Sequence, residues 1–202
     1  MPTTTNIAVL IPAAGTSRRI GSPKQLLKWR DSTLIGHAIE TATGLNQNKV
    51  LVVLGAYYDR IRPEIQRFDI QILKNDNWKI GLGSSIASGA DFLLTSGDSF
   101  NGVLVLLPDQ PLIVPFYLKA MIDKFKAGQK QIITTSYGNG KYGVPAIFDK
   151  SYFKELSLLN DDRGAKDLIK KHSKFVSVID IVPLVTDIDT EEAYNKIYKA
   201  NH

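Results

Sequence analysis

Chemistry is concentrated first where small residues give way to cations. Pro12 is followed by Ala13, Ala14 and Gly15, then Thr16 and Ser17, the pair Arg18 and Arg19, Gly21, and Lys24. Small side chains let backbone N–H groups approach an anion closely, and the cations add charge that amides lack. That combination suits a polyphosphate. Two common phosphate loops are excluded by spacing. A dinucleotide turn needs Gly-x-Gly-x-x-Gly, and only Gly15 and Gly21 are present. A P-loop needs Gly-x4-Gly-Lys-Ser/Thr, but here the glycines stand one position too far apart and no Lys follows Gly21 directly.

Carboxylates form the second group. Asp109 sits in Pro108-Asp109-Gln110-Pro111, at the end of the most apolar run of the chain, residues 102–107. A carboxylate there suits Mg2+, which takes oxygen ligands and bridges to substrate phosphates; a plain turn bracketed by prolines accounts for it equally simply. Asp187 and Asp189 alternate, so an extended backbone turns both to one side as further metal ligands. Thr190 capping a helix, with Glu191 and Glu192 in its first turn, explains the same stretch structurally.

Two helix starts complete the candidates. Gly81-Leu82-Gly83-Ser84-Ser85 offers backbone donors and two hydroxyls for a base or ribose, or else a simple N-cap. Asp162, Arg163 and Gly164 open another helix, suited to an anionic acceptor or again to capping by Asp162.

These residues must be held by alternating strands and helices. Residues 7–11, 49–54, 70–73 and 102–107 read as buried strands, and residues 131–135, 175–179 and 182–186 as later ones. Between them the patterns predict helices from a Ser32 or Thr33 cap to Thr43, then over 57–68, 85–94, 115–126 and 151–159, one following the Asp162 segment, and a last one ending near Ala200. Right-handed crossovers then give a three-layer α/β/α sandwich with a mostly parallel sheet and ligands at the carboxyl ends of its strands.

The 202 residues suit one domain, 1–202. No cysteine and three scattered histidines argue against disulfides and a zinc centre, so a required metal would be hard and oxygen-bound. The opening residues lack a signal-peptide pattern and no apolar run reaches membrane-spanning length, which predicts a cytoplasmic protein with no membrane partner. The net charge of +5 is spread along the chain, as in Lys166, Lys170 and Lys171 at helical spacing. Spread charge reads as a solvated face that helps steer small anions, not as a nucleic-acid surface.

Separated motifs, in the family's order, resemble the nucleotidyltransferases that activate sugars and pterins, and above all the molybdenum cofactor cytidylyltransferases. Ala13, Ala14, Gly15, Ser17, Arg19, Gly21 and Lys24 match the loop signature, with Pro12 and Ile20 departing from it. Asn75, Trp78, Gly81, Ser84 and Ser85 match the segment that meets the nucleobase, with Leu82 in place of Met. Leu107, Asp109, Gln110 and Pro111 match the metal turn, and Gly143 and Pro145 the acceptor segment, where Val144 replaces the family's His. Asp162, Gly164, Ala165 and Lys166, then Asp187, Ile188, Asp189 and Thr190, match the last two; Glu191 stands where the family has Pro.

The resemblance implies a nucleotide-diphospho-sugar transferase type of fold and a Mg2+-dependent transfer of CMP from CTP to the phosphate of molybdopterin, with release of pyrophosphate. It implies Arg19, Lys24 and Asp109 as catalytic, Asp109 with Asp187 or Asp189 as metal ligands, and Gly143, Pro145, Asp162 and Gly164 on the acceptor. Residues 13–17, Arg19, Gly21, Lys24 and Gly83, Ser84 and Ser85 would bind the nucleotide. In the family Ala-Ala-Gly goes with CTP and Ala-Gly-Gly with GTP, so Ala14 favours cytidine. A GTP- or ATP-using relative, a sugar- or polyol-phosphate cytidylyltransferase, and a non-catalytic maturation factor serving a molybdenum hydroxylase are the competing readings.

Overall fold

The computed structural model describes residues 5–17, 19–45, 49–180 and 186–202. Its centre is β1 (Ile7–Pro12), buried at every position. The reason lies in its two faces. Ile7, Val9 and Ile11 enter one apolar cluster and Ala8 and Leu10 another, so no position of the strand meets water.

β1 pairs in parallel with β4 (Lys49–Leu54) on one side and β6 (Gly102–Val105) on the other, and β4 pairs in parallel with β5 (Gln71–Lys74). Beyond β6 the sheet continues through β8 (Tyr142–Asp149), β7 (Ile132–Ser136) and β9 (Val176–Asp180). β8 runs antiparallel to both neighbours, and β7 and β9 are parallel. The expected mostly parallel sandwich is therefore present, with seven strands in its sheet among the described residues. The chain leaves β1 toward β4 and β5, then returns to the other side with β6, which makes the carboxyl end of β1 the topological switch point where such sheets bind ligands.

Helices cover both faces. α1 (Leu34–Thr43), α2 (Tyr58–Ile65) and α4 (Pro115–Lys124) pack on the face of Ile7, Val9 and Ile11. α3 (Leu82–Thr95), α5 (Phe153–Leu156) and α6 (Lys166–Lys171) cover the other. Thr33 caps α1, its hydroxyl accepting from the Gly36 amide at 3.1 Å, as the sequence suggests.

Three features differ from expectation. A small hairpin, β2 (Lys28–Trp29) and β3 (Ser32–Thr33), follows the first loop, too short for any alternating pattern. α3 begins at Leu82 rather than at residue 85, because Gly81, not a serine, occupies the cap position. The helix expected over 151–159 shrinks to a single 3-10 turn and the four residues of α5. The expected strand at 182–186 lies almost wholly outside the described residues. The C-terminal helix α7 (Glu191–Asn201) is capped by Thr190 and packs with Ile188 against Trp29 and Leu34 under the hairpin. Among the described residues no helix is long and apolar enough to cross a membrane.

Candidate active site

The first loop keeps its shape through bonds to its own neighbours. Gln25, buried just after Lys24, donates from Nε2 to the carbonyls of Ala13 and Gly15 at 2.9 and 3.1 Å. The Ser17 hydroxyl accepts from the Lys24 amide at 3.0 Å and donates to Gln25 Oε1 at 3.3 Å. Tyr57 donates to the Thr16 carbonyl at 3.0 Å. Ser17 and Gly21 adopt positive φ, 53° and 74°, which carries the chain around the turn; Gly21 needs no side-chain space there, only that backbone freedom. The carbonyls are thus tied back into the protein, and the loop edges a cleft of about 410 Å³ lined by Ala13, Ala14, Gly15, Ser17, Arg19 and Lys24. Thr16 is held through its carbonyl and is not part of that lining. Arg18 lies outside the described residues.

Across this cleft the chain brings cations to carboxylates from distant segments. Lys24 Nζ donates to Asp109 Oδ2 at 2.5 Å, to Asp189 Oδ1 at 3.1 Å and to the Ile188 carbonyl at 3.1 Å. Arg19 pairs with the other oxygen of Asp189 at 2.9 Å. The Lys24 and Asp109 side chains are only 18% and 14% exposed, so this pair sits largely out of water, whereas Arg19 and Asp189 are open to it and contribute little to stability. Burial works against the charge on Lys24, but Asp109 and Asp189 outweigh it and hold its pKa above the ordinary value. Burial also pushes the Asp109 carboxyl up, against the pull of Lys24. Asp189 is desolvated as well, yet Lys24 and Arg19 keep it below the ordinary value.

A divalent cation fits this donor set. Asp109 Oδ1 is buried and has no hydrogen-bond partner, and a hard cation seeks such carboxylate oxygens. Among the described residues no three acidic or imidazole groups gather as a closed cage. Mg2+ does not require one, since it is commonly held by one or two carboxylates together with substrate phosphates and water. Asp187 and Asp189 do not share a side as an extended strand would place them. Asp189 lines the first cleft with Lys24, while Asp187 accepts from Gln110 Nε2 at 2.8 Å and lines a second, neighbouring cleft.

The α3 start also departs from the sequence reading. The amide of Gly83 donates to the Asp161 carbonyl at 2.8 Å, and an added Cβ at Gly83 would stand 2.7 Å from that oxygen. Gly83 therefore joins α3 to the 160s loop instead of offering its amide to a ligand. Ser84 spends its hydroxyl on the carbonyls of Asn77 and Gly81 and accepts from Asn75, so it caps the turn. Ser85 accepts from Asn75 at 3.2 Å and lines the first cleft beside Trp78.

The second cleft, of about 920 Å³, meets the first at Leu82 and Leu107, which line both. Its walls are apolar, with Ile86, Val144, Ile169 and Val176, and its rim carries Lys141, Arg163, Lys166 and Lys170. Gly143 and Asp162 are among its lining residues. Pro145 is not: it is buried within β8, its carbonyl accepting from Thr135. Gly164, at φ 61°, packs against Leu82, where an added Cβ would stand 2.9 Å from a methyl. Gln110 and Tyr137 brace the wall of the second cleft. Gln110 Nε2 donates to Tyr137 Oη at 2.8 Å as well as to Asp187, and the Tyr137 hydroxyl donates to the Val144 carbonyl. Sequence reasoning missed Gln25, Gln110 and Tyr137 as site-forming residues, because a buried amide or phenol carries no local signature before its partners are known.

The model of the MobA-like NTP transferase domain matches residues 9–175. Among curated proteins, nicotine blue oxidoreductase of Paenarthrobacter nicotinovorans is 28% identical over 89% of this chain and 90% of its own length. Purine catabolism protein PucB of Bacillus subtilis (strain 168) is 27% identical over 93% and 94%. Among solved structures, Rv0371c from Mycobacterium tuberculosis H37Rv superposes with a TM-score of 0.82 at 27% identity, covering 98% of this chain and 100% of that one, and a further structure of it is a complex with manganese.

Proposed function

This chain belongs to the MobA-like NTP transferase family and is a nucleotidyltransferase, and we propose that it transfers CMP from CTP to the phosphate of molybdopterin or its molybdenum form, releasing pyrophosphate. The observation that carries this reading is the meeting of two unlike clefts at Leu82 and Leu107, beside Asp109. The first is edged by the phosphate-type loop and Lys24; the second, apolar with a basic rim, suits a flat heterocycle bearing a phosphate. A donor nucleotide in one and an acceptor in the other would face each other beside Asp109.

In the proposed reaction an oxygen of the acceptor phosphate attacks the α-phosphorus in line. The new P–O bond forms as the bond to the β-phosphate oxygen breaks, and the electron pair leaves on pyrophosphate. Arg19 and Lys24 bind the phosphates and offset the charge that builds on the leaving group. The Ala13–Gly15 turn, held by Gln25, fixes where those phosphates lie, and orientation of this kind accounts for much of the rate in phosphoryl chemistry. A divalent cation held by Asp109 with Asp189 or Asp187 would supply Lewis-acid polarisation of the α-phosphate. No side-chain nucleophile takes part.

A second reading, a maturation factor that holds cofactor and nucleotide without turnover, is favoured by Val144, which lines the acceptor cleft where the resembling enzymes carry His. Pyrophosphate release separates the two. With molybdopterin, Mg2+ and CTP, GTP or ATP in turn, the expected result is release with CTP, and a loss of at least about 1000-fold in Asp109→Asn with an unchanged circular dichroism spectrum. Full activity in that variant would sink the assignment of Asp109; Mg2+-dependent binding with no release from any nucleotide would favour the carrier.

A further inference from the structure

We propose that the Lys24 ammonium is the resident cation of the acidic site: it fills the place between Asp109 and Asp189 in the free protein, so that a divalent cation enters only with a nucleotide whose phosphates draw Lys24 away. This rests on the reading of Asp109 and Asp189 as the cation's ligands.

An ammonium has three protons to donate, and Lys24 has three oxygens within reach: one from Asp109, one from Asp189 and the Ile188 carbonyl, at 2.5, 3.1 and 3.1 Å. Two carboxylates and a carbonyl are also the hard oxygen donors that Mg2+ and Mn2+ seek. The same atoms therefore serve either occupant but not both. Leaving a carboxylate as buried as Asp109 without a counter-charge is costly, and Lys24 offsets part of that cost before any ligand arrives. Its hold is incomplete, since Asp109 Oδ1 keeps no partner.

Lys24 is also built to leave. Its backbone amide is fixed to the Ser17 hydroxyl at 3.0 Å, so the main chain stays while the flexible four-carbon stem swings. The cleft into which it can swing is the one edged by Ala13, Gly15 and Ser17. Nucleotide phosphates there would offer the ammonium new oxygens as they free the old ones. Metal and nucleotide then bind with positive coupling, and linkage requires the coupling to be reciprocal.

The test is calorimetry on the full chain with Mn2+ alone and with CTP present, for wild type, Lys24→Met and Lys24→Arg. Lys24→Met is expected to bind Mn2+ alone at least tenfold more tightly than wild type, and Lys24→Arg to stay near wild type because it keeps the charge. Equal or weaker binding by Lys24→Met overturns the proposal. Absence of Mn2+ binding in every protein, with CTP as well as without, defeats the cation reading of Asp109 and Asp189 and this inference with it. Should Lys24→Met fail to fold, the Lys24 15Nζ resonance of the wild-type protein answers the same question. It should hold its position when Mg2+ is added alone and move when CTP follows; a saturable shift with Mg2+ alone would refute the exchange.

Discussion

In the cleft at the end of β1 the cations already face carboxylates, Lys24 on Asp109 and Asp189 and Arg19 on Asp189. In the neighbouring cleft Lys141, Lys166 and Lys170 stand at the rim above apolar walls, and among the described residues none of the three forms an ion pair. The first cleft is balanced in charge before a ligand arrives; the second holds positive charge in reserve. A polyphosphate entering the first must exchange partners, whereas an anion entering the second finds donors that only water has to vacate. Half of the smaller cleft's lining comes from one continuous stretch, the loop after β1, whereas the larger is assembled from strand ends, α6 and the 160s loop. Under the proposed reading, that difference would separate a phosphate grip from a surface that selects the acceptor.

The joint between the two clefts is the place to break the comparison. Gly81 has φ 131°, and an added Cβ would stand 2.5 Å from the Asp162 Cα. Gly81→Ala should cost about 2–4 kcal/mol in urea unfolding, through backbone strain and the displaced 160s loop. It should raise KM for both substrates, and an effect on one alone would show that the clefts do not share this support. Next in size is the reserve of charge. Lys166→Ala and Lys170→Ala should each raise the acceptor KM about tenfold, the worth of one charge-assisted hydrogen bond, and leave the CTP KM unchanged. A matching change in the CTP KM would merge the two clefts into one electrostatic site.

Within the smaller cleft, Ala14→Gly removes a methyl that lies at the wall beside Gly55 and Trp78. The ratio of kcat/KM for GTP to that for CTP should rise about tenfold, the low end of the discrimination by one methyl group, and an unchanged ratio would refute the steric account. The smallest effect concerns support from behind. His37 bonds through Nε2 with the Pro111 carbonyl at 3.1 Å, next to the Asp109 turn, and burial lowers its pKa below the usual value. The unfolded chain therefore takes up a proton first as the pH falls below about 6.5, the ordinary imidazole value. Stability at high pH should fall through that window and level off below the folded pKa, and His37→Gln should flatten the slope.

Much of this was legible in the residues. β1 stands out because its residues are apolar without alternation, a pattern that only burial on both faces explains. Thr33 and Thr190 announced the helices they cap, since capping is a contact over three residues. The loop from Ala13 to Lys24 was legible as a turn of small residues and cations, and it edges the first cleft. The hairpin at Trp29 and the early start of α3 were not legible, the first being too short to carry a period and the second depending on a glycine pressed against Asp162.

By itself the sequence determined the alternation of the main strands and helices, the loop of small residues and cations and the acidic turn at Asp109, because each depends on neighbours within a few positions. Only the tertiary structure decided that Lys24 lies between Asp109 and Asp189, that Asp187 faces the other cleft, that Gly83 braces the 160s loop, and that Gln25 and Gln110 hold the two sites in shape. Those partners are separated by up to 165 positions along the chain, and a bond of that kind exists only once the sheet has brought its strand ends together.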